Sequence, residues 1–234
     1  MQYRFKLKTE TLDSQRRRRF QSEEINVLLN MAQMAVIKII AAPRPGEFER
    51  TRLGFETQLR SIEDLRNIVV TDKTLGVEFK GNGIYQAKLP SDFLFLQNPS
   101  YASITNESCS KRAQIFYSQL DDRSEESPFD RSDFDWGEVN MQLIQNDGVR
   151  MIAKDFVIKS LILNYIRKPK KIIFAENAYK DIDGEDIPAN TDQACELSEV
   201  VQDDIIDMAA FIASDARQSS DLQSKMQKIN SIGL

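Results

Sequence analysis

The chain has 234 residues, 29% of them charged, and a net charge of −5 at pH 7, long enough to hide roughly 70% of its unfolded surface as one large domain or two small ones. It has no histidine and only two cysteines, Cys109 and Cys195, outside any Cys-x-x-Cys arrangement. That removes Ser-His-Asp, Cys-His and histidine-zinc chemistry, a disulfide framework and a thiolate metal site.

The first stretch, MQYRFKLKTETLDSQRRRRF, has no apolar core after its basic residues and is not read as a secretory signal. No run is read as approaching the ~18 apolar residues of a transmembrane helix, so no membrane is expected. Residues 1–21 form a basic N-terminal arm: Arg4, Lys6, Lys8, Arg16, Arg17, Arg18 and Arg19 stand against Glu10 and Asp13. At the other end Glu196, Glu199, Asp203, Asp204, Asp207, Asp215 and Asp221 stand against Arg217. The two ends are electrostatically complementary, which steers partners or copies of the chain together.

A helix is expected from Ser22, taken as its N-cap with Glu23 and Glu24 in the first turn, to just before Pro43. Ile25, Leu28, Leu29, Ala32, Val36, Ile39 and Ile40 make one apolar face, and Val27, Met31, Met34 and Ile37 another. A helix apolar nearly all round is buried or shared with a neighbouring subunit. A second helix, about Glu47 to Arg66, carries Phe48, Phe55, Leu59, Ile62 and Leu65 on one stripe and closes an antiparallel hairpin with the first.

From Ile68 the period changes to two. Leu75, Val77 and Phe79 alternate into a KGNG turn, and Tyr85, Ala87 and Leu89 return as a hairpin. Further strands are expected at Leu94 to Leu96, Tyr101 to Thr105 and Ala113 to Tyr117. Asp121 to Asp135 reads as an ordered surface loop with Trp136 as its anchor. Val139, Met141 and Leu143 lead into Asn146-Asp147-Gly148, a hairpin signal, and back through Val149, Met151 and Ile152.

The stretch Phe156 to Phe174 sets an apolar strand against Arg167, Lys168, Lys170 and Lys171 around Pro169, which ends the strand. With an acidic C-terminal helix available, this tetrad reads as a docking turn for a protein partner. Asp181 to Ala194 reads as a polar loop. The helical period returns as Leu197, Val201, Ile205, Met208 and Ile212, and a tail stripe, Leu222, Met226 and Ile229, follows. That tail docks back, frays or lies on a partner.

The expected fold is α+β: N- and C-terminal helices (22–66 and 195–217) forming a helical bundle with an inserted antiparallel β-domain (67–194), then a tail helix (218–234).

No motif carries catalytic chemistry. Asp181-Ile182-Asp183-Gly184-Glu185-Asp186 lacks the twelve-residue calcium-loop spacing and reads as a solvated turn. Gly81-Asn82-Gly83 is a hairpin turn, since no Gly-Lys-Ser/Thr follows. Paired carboxylates such as Asp203 with Asp204, or Glu125 with Glu126, have no pocket to split their pKa values. The expectation is a protein without catalytic residues, cofactor or metal.

Four stretches in a fixed order carry a resemblance: SEEINVLLNMAQMAVIKI (22–39), LPSDFLFL (89–96), NYIRKPKKI (164–172) and CELSEVVQDDIIDMAA (195–210). With them the chain resembles the head-to-tail connector, or adaptor and ring, proteins of short-tailed bacteriophages, closest to the ring proteins of crAss-like phages. The resemblance implies a structural virion protein, assembled in the host cytoplasm as a ring of twelve copies beneath the portal. It links capsid to tail around the channel through which DNA passes without sequence-specific binding. Its implied partners are itself, the portal and a downstream tail or second ring protein, with the helical part packing on neighbours and the β-domain facing the next tail component. The contact residues expected on this reading are Arg16 to Arg19, Met31, Met34, the 167–171 tetrad, Leu222, Met226 and Ile229. Two alternatives stay open: another tail or capsid-associated structural protein, and a nucleic-acid-binding module using Arg4, Lys6, Lys8 and Arg16 to Arg19.

Overall fold

A computed structural model describes residues 1–10, 20–41, 63–107, 109–118, 132–144, 148–153, 155–181 and 183–216. The chain divides into two compact units, Met1–Asn67 with Pro169–Leu234, and Ile68–Lys168.

The second unit is an eight-stranded sheet in the order β1-β8-β4-β5-β6-β7-β3-β2. Its strands are β1 (Val69–Gly76), β2 (Glu78–Gly81), β3 (Ile84–Lys88), β4 (Phe93–Asn106), β5 (Cys109–Tyr117), β6 (Glu138–Ile144), β7 (Gly148–Ile152) and β8 (Val157–Arg167). Alternation decides its core. Tyr117, Met141, Met151 and Tyr85 lie side by side across β5, β6, β7 and β3, and Leu75, Leu161, Ala102 and Ala113 do so across β1, β8, β4 and β5. Apart from Tyr117, which is exposed at the end of the first row, these rows feed one apolar cluster with Ile104, Ile115, Val139, Val149, Ile158, Leu163 and Tyr165, because a strand's inward residues recur every second position.

Local turn chemistry sets the hairpins. Asn82 and Gly83 both have positive φ (51° and 72°) between β2 and β3, the backbone that a two-residue hairpin loop requires. The run of Leu75, Val77 and Phe79 is not one strand: it divides at Gly76, β1 pairing with β8 and β2 with β3. Leu94 to Leu96 and Tyr101 to Thr105 belong instead to the single strand β4, whose pairing with β8 shifts between Gln97 and Tyr101 around Pro99. Proline gives no ladder donor and is accommodated at such an irregularity; Ser100 Oγ fills in there by accepting from Asn164 N at 3.1 Å.

The sheet is not wholly antiparallel. β5 and β6 run parallel, with Ile115 beside Val139. Parallel neighbours need a crossover of a dozen or more residues, and positions 118–137 supply it. The expected ordered loop at 121–135 lies mostly outside the described residues.

The first unit contains α1 (Gln2–Glu10), α2 (Ser22–Ala41) and α3 (Glu199–Ala216) with two small antiparallel pairs, β9 (Ile173–Ala175) with β12 (Thr191–Gln193) and β10 (Tyr179–Lys180) with β11 (Asp186–Ile187). So the expected polar loop 181–194 carries short strands. The helix expected at 47–66 lies almost wholly outside the described residues. The core of this unit joins Phe5, Ile25, Leu29, Val36, Ile37, Leu65, Ile172, Leu197, Val201, Ile205 and Ala209.

The expected helical bundle with an inserted antiparallel β-domain is therefore corrected. The chain is mostly β, with about 45% strand against 30% helix among the described residues, and short helices. The physical reason is visible at α2, which packs against strand β9 as well as α3. Asn26 and Asn30, one turn apart, each bracket a residue of the segment running into that strand. Asn26 Nδ2 donates to Phe174 O (3.1 Å) and Oδ1 accepts from Phe174 N (3.2 Å); Asn30 Nδ2 donates to Ile172 O (2.9 Å) and Oδ1 accepts from Ile172 N (2.8 Å). Two primary amides thus present a helix to a strand as a second strand would, satisfying backbone groups that burial would otherwise leave unpaired.

α2 also corrects the reading that no run suffices for a membrane span: by length and composition Ser22–Ala41 does. Its buried polar side chains, however, are committed within the unit. Asn26 additionally donates to Tyr179 Oη at 2.8 Å, and Gln33 Nε2 approaches Cys195 Sγ at 3.8 Å.

Candidate assembly surface

The residues expected to make contacts fall into separate environments. Arg16 to Arg19, and Leu222, Met226 and Ile229, lie outside the described residues. Met31 is 54% exposed on the outer side of α2, and Met34 beside it is half-buried. The two-sided character of α2 is therefore resolved as one deeply buried face and a partly covered one with Met31 at its centre.

The basic tetrad is divided. β8 ends at Arg167, as Pro169 demands, with Lys168 N donating to Asp92 O at 2.6 Å. Lys170 and Lys171 are tied into the first unit. Glu196 accepts from the Lys170 backbone N–H at 3.0 Å and pairs with its Nζ at 3.3 Å. Lys171 Nζ sits among Asp181 (2.8 Å), Asp183 (2.6 Å) and Glu185 (3.2 Å). The hydrogen bonds it donates to Asp181 and Asp183 hold its pKa well above the ordinary lysine value. The acidic turn is thus filled by an ammonium of the same chain. It is shaped by Gly184 at φ +81° and a hydrogen bond from Gly184 N to Asp181 O. Among the described residues no group of three or more acidic or thiol side chains is arranged to hold a metal ion.

Trp136, expected to anchor its loop, is instead 81% exposed. The packed aromatic of that turn is Phe134, which meets Phe156 at 6.2 Å and lies under Lys111 Nζ at 4.4 Å.

The complementary ends meet within the chain. Arg4 Nη1 pairs with Asp203 Oδ1 at 2.8 Å and Lys8 Nζ with Asp207 Oδ1 at 2.5 Å. Four residues separate the partners on each helix, so α1 and α3 run side by side in the same direction. Phe5 is fully buried and meets Phe20 edge-on at 5.7 Å. Gln2 Nε2 donates to Ser22 Oγ at 3.1 Å. Ser22 is accordingly the first residue of α2, and Glu24 caps the helix by accepting from Gln21 N at 3.0 Å. A nine-residue helix is not stable alone in water, so α1 exists because it is docked. Its other side carries Tyr3 (77% exposed) and Leu7 (52%), one turn apart, while α3 shows Val200 (70%).

Behind the pairs, Asp204 has its pKa raised, first by burial and then by Asp207, Asp64 and Asp203, with Lys8 opposing.

Neither a protein-family model nor a curated protein matches this chain.

Sequence reasoning missed the Asn26 and Asn30 clamps and the intrachain pairing of Arg4 and Lys8. The signal for the first was two amides at helical spacing in an otherwise apolar helix.

Proposed function

We propose that the protein is a structural virion component, a head-to-tail connector subunit that assembles as a ring beneath the portal, joins capsid to tail and surrounds the genome channel. The observation that carries this reading is that Tyr3, Met31 and Val200, one on each of the three helices of the first unit, are all more than half exposed. Large apolar side chains held out on regular helices gain from a neighbouring subunit. The ordered resemblance of four stretches to phage ring proteins names the kind of assembly, with twelve copies as its implied number.

The nucleic-acid-binding reading is less favoured, because Arg4 and Lys8 are already paired with Asp203 and Asp207. Such a module gains its affinity from cations free to meet phosphate. The test is direct: labelled protein is located in purified particles by electron microscopy. Density between portal and tail is expected; a position elsewhere in the particle gives the alternative of another tail or capsid protein, and absence from particles overturns both.

A further inference from the structure

We infer that the hollow between the start of α2 and the turn from β9 to β10 is a binding site for an arginine or lysine side chain. A partner protein supplies it on an extended segment that places an aliphatic residue beside the cation. The site is independent of the ring reading and adds a contact of defined chemistry to the first unit.

Shape is the first observation. A cavity of about 370 Å³ is lined by Phe20, Ser22 and Glu23 from the entry to α2 and by Ala175, Glu176 and Tyr179 from the strand side. Tyr179 also lines a second cavity, of about 440 Å³, with Ala178, Ile187 and Pro188, so the two adjoin at its ring. That wall is fixed in place. Tyr179 Oη accepts from Asn26 Nδ2 at 2.8 Å, and Asn26 is itself clamped on the backbone of Phe174. Walls held before a ligand arrives reduce the ordering that binding must impose.

Charge is the second. Glu23 and Glu176, one from each side, are exposed, and neither has a hydrogen bond or ion pair among the described residues. The neighbouring acidic turn differs, because Lys171 already answers Asp181, Asp183 and Glu185. Two unanswered carboxylates repel an anion, although the site lies at the start of a helix. A hard divalent ion needs six or more oxygen ligands, which two carboxylates beside aromatic walls do not supply. A guanidinium or ammonium on an apolar stem suits both halves of the lining: the cation meets the carboxylates and the Tyr179 ring, and the stem lies along the aromatic wall.

The second cavity decides the source of that cation. Its floor is apolar, with Ile187 only 8% exposed, and its charged residues, Lys180 and Asp186, are paired with each other at 3.4 Å. It therefore takes an aliphatic group. A peptide fills both cavities at once, whereas a free amine has nothing to place in the second.

The experiment is a titration of isotope-labelled full-length protein with the capped peptide Gly-Arg-Ile-Gly, followed through the amide NMR signals of residues 20–23 and 175–179. Saturable movement of those signals is expected. Capped Gly-Gln-Ile-Gly, which lacks the cation, and acetyl-arginine-amide, which lacks the aliphatic residue, should each bind about ten-fold more weakly. The double variant Glu23→Gln with Glu176→Gln keeps side-chain shape at two exposed positions and removes the charge. It should loosen the peptide about ten-fold, the combined effect of two exposed pairs, with the rest of the spectrum unmoved. Signals that do not shift at these residues, or a double variant that binds as tightly as wild type, overturn the inference. Equal affinity for acetyl-arginine-amide and the peptide overturns the assignment of a protein segment as the source. None of these results depends on whether the chain forms a ring.

Discussion

The two units are held together in different ways. In the sheet of residues 68–168, alternation places Met141, Met151, Leu161 and Leu163 in a dry interior with no exposure, and the backbone groups find each other along the ladders. In the first unit, polar side chains supply part of that pairing. Asn26 and Asn30 substitute for a strand, and ion pairs fasten α1 and the turn at Lys171. An apolar core responds to lost volume. A polar clamp responds to the group left behind when its partner is removed.

The largest test of this contrast is in the sheet. Leu161→Ala deletes a fully buried side chain shared by three strands and is expected to cost about 3 kcal/mol in denaturant unfolding. The same measurement on Asn26→Ala, which removes little volume, is expected to give about 2 kcal/mol, because Phe174 N and O lose their partners. A cost below about 0.5 kcal/mol would mean that water replaces the amide.

Lys171→Met is smaller again, about 1 kcal/mol, since Asp183 and Glu185 are well exposed and solvent screens them. Because the folded pKa of Lys171 lies above its ordinary value of 10.5, its contribution is complete at neutral pH and fades only as pH rises through the folded value. The gap between variant and wild type should therefore be flat from pH 7 to 9 and close in strong alkali, as read by thermal melts.

Asp204→Asn runs the other way. The folded pKa is raised above 3.8, so the ionised carboxylate destabilises the fold once pH exceeds that value. After allowing for screening, the variant should gain about 0.5 kcal/mol at pH 7 and nothing at pH 3. Equal gains at both would point to a packing effect.

What was legible in the sequence follows the same division. The turn at Asn82-Gly83, the antiparallel pairing of β6 with β7 and the end of β8 before Pro169 depend on residues near one another, and periodicity exposes them. The parallel meeting of β5 and β6 depends on a crossover of some twenty positions that no local pattern announces. The charge asymmetry of the two ends was plain, but charge alone does not say whether opposite patches meet within a chain or between chains. Arg4 and Lys8 close onto Asp203 and Asp207 within it. The preponderance of strand was hidden because α2 and α3 have strong helical periods, whereas β9 to β12 span only two or three residues each. Asn26 and Asn30 looked like interruptions of an apolar helix, and only their strand partner gives them meaning.

We propose that this chain stands beside copies of itself. Electron microscopy of the purified full-length protein tests it most directly: closed rings with a central opening, joined through the helical unit, are the predicted result. Uniform monomers at every concentration, with or without the portal present, would contradict it.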